Sequence, residues 1–192
     1  MFQNIDICTK NDMVLSMIKT DQHNKFKLQF TINNKNYNLR KCIGFKLFTL
    51  IGEVNLDVIE NIYIAECETN TTHMDVSILL KPFGKEIGLA QKYMSFHTVM
   101  EHVDNNTIRF ISEQIEKPTH MIVPDRSEPV LEANTMLDIA FLTPHEAVVT
   151  YEFTFVIDED LPNFMEKYSG LLMKKIFLRL KTFLENINEN SL

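Results

Sequence analysis

Apolar and polar positions alternate most cleanly near the C-terminal end of the chain. From Ala147 to Ile157, Val149, Tyr151, Phe153, Phe155 and Ile157 fall on one face, and Thr150, Glu152 and Thr154 on the other. A period of two marks a half-buried antiparallel strand, here with an aromatic inner surface. Asp158, Glu159 and Asp160 then supply a cap and favourable charge for a helix N-terminus, and Pro162 suits its first turn. The helix predicted from about Leu161 to Ile187 is roughly 40 Å long at 1.5 Å per residue, close to the strand's roughly 36 Å. Its apolar stripe is Met165, Tyr168, Leu172, Ile176, Leu180, Phe183 and Ile187, with a second through Met173, Phe177 and Leu184. Lys167, Lys174 and Lys181 recur every seven residues and are assigned to the solvent side. A long helix laid across a strand of matching length is a way of enclosing something.

Upstream, the pattern predicts more strands than helices. Residues 1–23 form an N-terminal extension in which Val14, Met17 and Ile18 could make one face of a short helix, with Asn11 or Asp12 as cap. Phe26, Leu28, Phe30 and Ile32 alternate with polar neighbours and give a first strand, ending at the polar cluster Asn33–Asn36. Tyr37 to Val58 admits either strands or short helices around Leu47 to Ile51. Asn61–Glu68 and His73–Leu80 read as paired strands. Tyr93–Val103 and Thr107–Ile115 read as a hairpin about Asn105-Asn106, with a helix over 86–103 as the alternative. A loop rich in proline and charge spans 118–129, and Asn134–Leu142 is the penultimate strand. Leu137, Ile139 and Phe141 should share a face with Val149, Tyr151 and Phe153, which needs an odd loop or a bulge; an even loop would turn Asp138 inward beside Tyr151. Without repeats or an internal linker, residues 24–192 should form one domain.

Composition narrows the function classes. The 192 residues include 14 Phe, 10 Met and no Trp, enough for a sizeable core with adaptable packing. A net charge of −7 argues against binding nucleic acid through its phosphates. No run approaches a transmembrane helix, and MFQNIDICTKND carries no secretory signal. Cys8, Cys42 and Cys67 are too few and too scattered for a disulfide framework or a zinc site, so a reducing cytoplasm is the expected compartment. The abundance of Asn, Ile and Lys suits an AT-rich coding genome, such as that of a protist or a large DNA virus.

Tests for catalysis mostly fail. His97-Thr-Val-Met-Glu101-His102 has the wrong spacing for a zinc-protease helix. Glu66 and Glu68 make an E-x-E pair, but the basic residues that a phosphate tunnel requires do not alternate with them. Nucleophile elbow, Walker loop, dinucleotide fingerprint and Cys-x-x-Cys are all missing. Glu101 and Asp138 are the carboxylates that an apolar pocket would turn into acids. No catalytic residue, metal ligand or cofactor is assigned.

The segment VVTYEFTFVIDEDLPNFMEKYSGLLMKKIFLRLKTFLENI, with Gly170 near the helix start and Leu178, Leu180, Lys181, Phe183, Leu184 and Glu185 in its last turns, resembles the ending of START-like proteins, the SRPBCC or Bet v 1-like superfamily. The resemblance covers the last quarter of the chain. It implies an α+β fold in which a curved, mostly antiparallel sheet grips a long C-terminal helix around an apolar cavity. It also implies binding or transfer of lipids and other hydrophobic molecules; some members run cyclase or hydrolase chemistry, and no invariant catalytic residue carries over. The expected function is non-catalytic binding of a lipid-like molecule lined by Phe141, Val149, Tyr151, Phe153, Leu172, Ile176 and Leu180, with Tyr151 as hydrogen-bond donor. The rival expectation is a protein–protein interaction or viral structural module with a filled core. The sequence argues neither for nor against a homo-oligomer.

Overall fold

Period-two patterning governs most of the molecule. The computed structural model describes residues 3–19, 24–66, 71–82, 90–116, 121–156 and 167–188. In chain order these form β1 (Gln3–Lys10), β2 (Met13–Lys19), β3 (Asn24–Asn33), a 3-10 turn (Leu39–Lys41), α1 (Lys46–Glu53), β4 (Ile59–Glu66) and β5 (His73–Leu80). Then follow β6 (Lys92–His102), β7 (Thr107–Gln114), β8 (Glu128–Pro129), β9 (Leu131–Thr143), β10 (Glu146–Val156) and α2 (Tyr168–Asn186). The strands make one curved, open antiparallel sheet in the order β1-β2-β3-β10-β9-β7-β6-β5-β4, with β8 added parallel to β6. The C-terminal helix closes over its inner face, the α+β helix-grip arrangement expected from the strand-to-helix ending.

The N-terminal segment corrects one expectation. No short helix forms around Val14 to Ile18; β1 and β2 are a hairpin, and β2 pairs with β3 through Met13↔Phe30, Leu15↔Leu28 and Met17↔Phe26. Asn11 and Asp12, read as helix caps, are instead the two turn residues, with φ of 57° and 56°. Two successive left-handed residues match the twist of a tight hairpin, and Asn and Asp tolerate that region. Met13, Leu15 and Met17 are almost fully buried, so period two wins over the helical spacing of Val14, Met17 and Ile18.

The hairpin reading of the middle segment holds: β6 and β7 pair in register from Phe96↔Gln114 to His102↔Ile108, and the helical alternative for 86–103 fails over 92–102. Between 37 and 58 the short-helix option is the one taken, as the 3-10 turn and α1. Near the chain end, Leu137 lies opposite Tyr151 and Ile139 opposite Val149. The bulge needed for this parity sits where Glu146 pairs with Thr143 but Ala147 pairs with Phe141, leaving Leu142 as the extra, exposed residue. Asp138 therefore points outward, and Arg109 clamps it with two bonds of 2.7 Å.

α2 is fastened to the sheet along its described length. A Cβ on Gly170 would lie 2.7 Å from Cδ1 of Phe26, so the helix backbone approaches β3 at a distance only glycine allows. At the other end, the buried Asn34 side chain donates to the Leu184 and Ile187 carbonyls, each at 2.8 Å, and caps the helix C-terminus. Asp57 receives Lys175 and Arg179 from the flank of α2. The seven-residue lysine repeat is not a solvated stripe. Lys167 is exposed, but Lys174 and Lys181 are 7% and 8% exposed. Lys174 Nζ donates to the Met13 carbonyl at 3.2 Å and lies 3.2 Å from Cys8 Sγ, because the N-terminal hairpin covers that side of the helix. Lys181 pairs with Glu185 one turn on. The helix start predicted at 161, with Asp158–Asp160, Pro162 and Met165, lies outside the described residues.

Candidate functional site

The inner face of the sheet and the buried side of α2 do not fill the space between them. A recessed cavity lies there, with about 50 Å³ open to the centre of a water-sized sphere. Phe48 and Ile51 of α1 form one wall, Val76, Ile78 and Leu80 of β5 another. Met94 and Phe96 of β6, Phe110 of β7, and Leu137 of β9 floor it, and Met173, Ile176 and Phe177 of α2 close it. Each strand contributes alternate residues, as a half-buried strand must. Gly52 lets α1 sit tightly on β4, since a Cβ there would meet Ile62 Cγ2 at 2.6 Å. Ring contacts stiffen the walls: Phe48 stands edge-on to Phe110 at 5.6 Å, and Tyr151 lies 4.5 Å from Phe177 and 4.9 Å from Phe153.

A smaller chamber of about 20 Å³ adjoins the first and shares Leu80, Met94, Met173 and Ile176 with it. Val130, Ser169 and Leu172 complete it. Methionine forms two of the four shared positions, and its three flexible torsions make this partition the softest part of the wall.

Among the described lining residues, the polar side chains in the main cavity are the hydroxyls of Ser112, Thr135 and Tyr151. Tyr151 is hydrogen-bonded to Thr135, and Ser112 Oγ is 2.9 Å from Thr98 Oγ1. Burial drives the Tyr151 phenol far above the ordinary tyrosine range, with the Thr135 bond acting weakly the other way, so it remains a neutral donor. No described charged side chain lines this cavity.

The seven residues nominated from sequence are all wholly or mostly buried, but they do not form one lining. Tyr151 and Ile176 line the main cavity, and Leu172 joins Ile176 in the small chamber. Phe153 borders a separate groove at the end of β7, β9 and β10, with about 570 Å³ open to a water-sized sphere. Phe141, Val149 and Leu180 are buried in the core and line none of these three spaces. Phe141 lies instead under the Arg40 guanidinium, 4.3 Å from its ring centroid. Most of the lining comes from α1 and β5–β7, which sequence reading left out. The signal was present in the alternation of Met74, Val76, Ile78 and Leu80, the inner face of β5.

Groups singled out for chemistry lie elsewhere. His97 is on the outer face, with Asp75 Oδ1 at 2.8 Å and His73 Nδ1 at 3.0 Å, while Glu101 and His102 are exposed at the end of β6. Among the described residues no cluster of three His, Cys, Asp or Glu side chains is arranged for a metal. Burial pushes the Cys42 thiol up to about 11, and its Sγ bonds the Leu39 carbonyl at 3.2 Å, as in an inert structural cysteine. Cys67, Glu68 and the side chain of Glu66 lie outside the described residues. No helix among the described residues is long and apolar enough to cross a membrane.

No family model and no curated protein sequence matches this chain. Solved structures do. The human StarD13 lipid transfer and protein localization domain superposes with a TM-score of 0.72 at 8% identity, over 96% of this chain and 90% of that one. A STAR-related lipid transfer protein from Xanthomonas axonopodis gives 0.72 at 8% identity, over 95% and 98%. Human STARD10 gives 0.71 at 9% identity, over 95% and 72%. This chain has the START fold. At such identities the likeness fixes the architecture alone, so within this START fold the site must be argued from its own residues. Those residues offer an apolar space between grip and helix, with hydroxyls on one side and no described charged side chain in its lining.

Proposed function

We propose that this protein binds or carries an apolar or amphipathic small molecule, lipid-like in character, in the space between the sheet and α2, without catalysis or a cofactor. The observation that carries this reading is the cavity itself: apolar, recessed between sheet and helix, and lined from α1, α2 and six strands. Ligand sites are concave and mostly apolar with a few placed polar groups, and this one has three hydroxyls. The structural neighbours named for lipid transfer support the same class of ligand.

The volume sets a condition. A cavity needs about 10–15 Å³ of such volume to hold a single water, whose share of the liquid is about 30 Å³. The cavity therefore holds a few small groups, not an acyl chain. Uptake must enlarge it, and the Met94–Met173 partition is where two chambers can become one. A filled interaction module is less consistent with α2. Its second apolar stripe, Met173, Phe177 and Leu184, is buried alongside Ile176, Leu180 and Ile187 of the first, leaving no exposed seam of that stripe for a partner.

Native mass spectrometry after gentle extraction tests the proposal, together with titration of a fluorescent sterol, dehydroergosterol. We expect a co-purifying small molecule or saturable probe binding that raises the unfolding temperature; ligand at 100 times its Kd adds about 2.7 kcal/mol. A protein that is persistently ligand-free and shows no saturable binding of sterol or long-chain probes overturns it.

A further inference from the structure

The sheet has a weak point beside the cavity. β7 and β9 pair from Thr107↔Ala140 to Ser112↔Thr135, and the ladder stops there. Beyond it, the Gln114 side chain takes over the bonding. Its Nε2 donates to the Val130 carbonyl at 2.7 Å, and its Oε1 accepts from Ala133 N at 2.8 Å. Gln114 N in turn reaches Asn134 Oδ1 at 3.3 Å. A side-chain amide bridging two strands needs more room than a main-chain ladder, so the strands part at this end. The polar groove of about 570 Å³ lies at the parting, bordered by Glu113, Gln114 and Asn134. Ser112 and Thr135 line both this groove and the apolar cavity. These two small hydroxyl residues are the lining that the two spaces share.

Those two belong to a row of hydroxyls that crosses the inner face. Thr98 lies opposite Ser112, Ser112 opposite Thr135, and Tyr151 bonds Thr135 from the next strand. Elsewhere the described part of this face is mostly Ala, Val, Ile, Leu, Met and Phe. Each hydroxyl carries one donor and two acceptor lone pairs, so the pairs Thr98–Ser112 and Thr135–Tyr151 each keep a spare donor and spare acceptors. Such groups suit a hydroxyl, ester or carbonyl. A phosphate or ammonium in the cavity would find no opposite charge among the described lining, a cost that neutral heads escape. In the groove, Lys25 is already 2.7 Å from Glu152, and Glu113 adds a further negative charge.

We propose that the ligand lies with its polar end at the split between β7 and β9, against Ser112 and Thr135, and its apolar part under α2. The ligand class is a neutral amphiphile with an uncharged hydroxyl, ester or carbonyl head. The inference rests on the cavity reading above and goes beyond it in orientation and head-group charge.

The chain contains no tryptophan, so one introduced Trp is a unique reporter. Glu113→Trp places it at the groove on an exposed position, and Leu172→Trp at the small chamber beside α2. The probes are methyl 5-doxylstearate, with its spin label near the ester, and methyl 16-doxylstearate, with the label near the chain end. Immobilisation of both in electron paramagnetic resonance reports binding to the wild-type protein independently of orientation. The 5-doxyl ester should quench the Glu113→Trp reporter at least about twofold more than the 16-doxyl ester, with the order reversed for Leu172→Trp. Asn134→Trp serves as a second groove reporter should Glu113→Trp not fold. Thr135→Val, which keeps the shape and removes the hydroxyl, should weaken ester binding by about 2–10-fold. Glycerol monostearate should displace the probe, and phosphatidylcholine should not. The opposite quenching order overturns the orientation, and equal displacement by phosphatidylcholine overturns the neutral head. Wild-type protein that immobilises neither ester overturns the cavity reading, and this inference with it.

Discussion

Gly170→Ala decides whether α2 is truly seated on the sheet at the distance the structure shows. Alanine is the better helix former by about 0.8–1 kcal/mol in a helix interior, and that term alone would stabilise the variant. Against it stands the contact. The new Cβ would lie 2.7 Å and 2.8 Å from Cδ1 and Cε1 of Phe26, and 3.3 Å from Leu15 Cδ2. Carbon atoms rest at about 3.5–4.0 Å, so helix or ring must move by close to 1 Å. Phe26 has little freedom to yield. It is 1% exposed and stacks on Phe153 at 5.1 Å, which stacks on Tyr151, which meets Phe177. Overpacking of this kind costs about 1–3 kcal/mol. The propensity gain is reduced in the first turn, and so the expected net is a loss of about 1–2 kcal/mol. Urea unfolding followed by tyrosine fluorescence and circular dichroism measures it, with an unchanged m-value showing that stability alone has shifted. The double variant Phe26→Leu/Gly170→Ala should lose less than the sum of the singles, with a coupling of at least about 0.5 kcal/mol. A Gly170→Ala protein more stable than wild type, or one whose effect simply adds to that of Phe26→Leu, refutes the close seating.

Two other expectations follow from single side chains. Asn34→Ala leaves the Leu184 and Ile187 carbonyls without their donor and should cost about 1–3 kcal/mol, with faster amide exchange confined to the last turn of α2; unchanged stability would mean that water caps the helix equally well. Tyr151 is raised above the ordinary phenol value by burial, so the fold favours its neutral form. Its contribution is therefore complete below about pH 10, where the unfolded phenol is also neutral, and is lost as pH rises above that value. Tyrosinate absorbance near 295 nm should show part of the amplitude appearing only with cooperative alkaline unfolding, and Tyr151→Phe should remove that part. Reversible titration of all five tyrosines in the folded protein would contradict the burial.

The parts of the fold legible in sequence are those whose partners are close along the chain. The β9–β10 register followed from the parity of Leu137, Ile139 and Phe141 with Val149, Tyr151 and Phe153, because one slipped residue would turn an aromatic face to water. The β1–β2 hairpin is not legible locally, because Val14, Met17 and Ile18 fit a helical face as well as Met13, Leu15 and Met17 fit a strand. What decides between them is pairing with Phe26, Leu28 and Phe30, a contact that local periodicity does not express. The same hairpin explains Lys174. A lysine every seventh residue looks solvated until a distant segment covers it and its ammonium finds carbonyl acceptors there. The candidate site was legible only on its C-terminal side. The chain end reveals that a helix grips a sheet, but the far wall comes from α1 and β5–β7, whose place across the cavity depends on strand order. Ser112 and Thr135 carried no signal at all, since a lone hydroxyl on a strand is ordinary and becomes a row only after β6, β7 and β9 are set side by side.

The contracted cavity and the carrier reading are reconciled by asking which wall can move. α2 is the obvious lid, yet it is held at both described ends: Gly170 is pressed on Phe26, and Asn34 holds Leu184 and Ile187. Lys174 ties one flank to the N-terminal hairpin, and Asp57 ties the other through Lys175 and Arg179. Lifting the helix means breaking these together with the aromatic chain from Phe26 to Phe177. Leaving the cavity empty costs far less, about 1 kcal/mol at roughly 24 cal/mol per Å³. The cheaper route to a larger space is through side chains. Rotation of Met94 and Met173 merges the two chambers without moving backbone. Growth in the other direction meets Ser112 and Thr135, where the ladder has already ended and one glutamine side chain bridges the gap. Separating two strands there breaks side-chain bonds that water can replace, whereas separating them anywhere along the β9–β10 or β3–β10 pairing breaks a continuous ladder. A ligand that must stretch this protein will therefore do so between the two methionines and the split, and its polar end will come to rest where the sheet is already open to water.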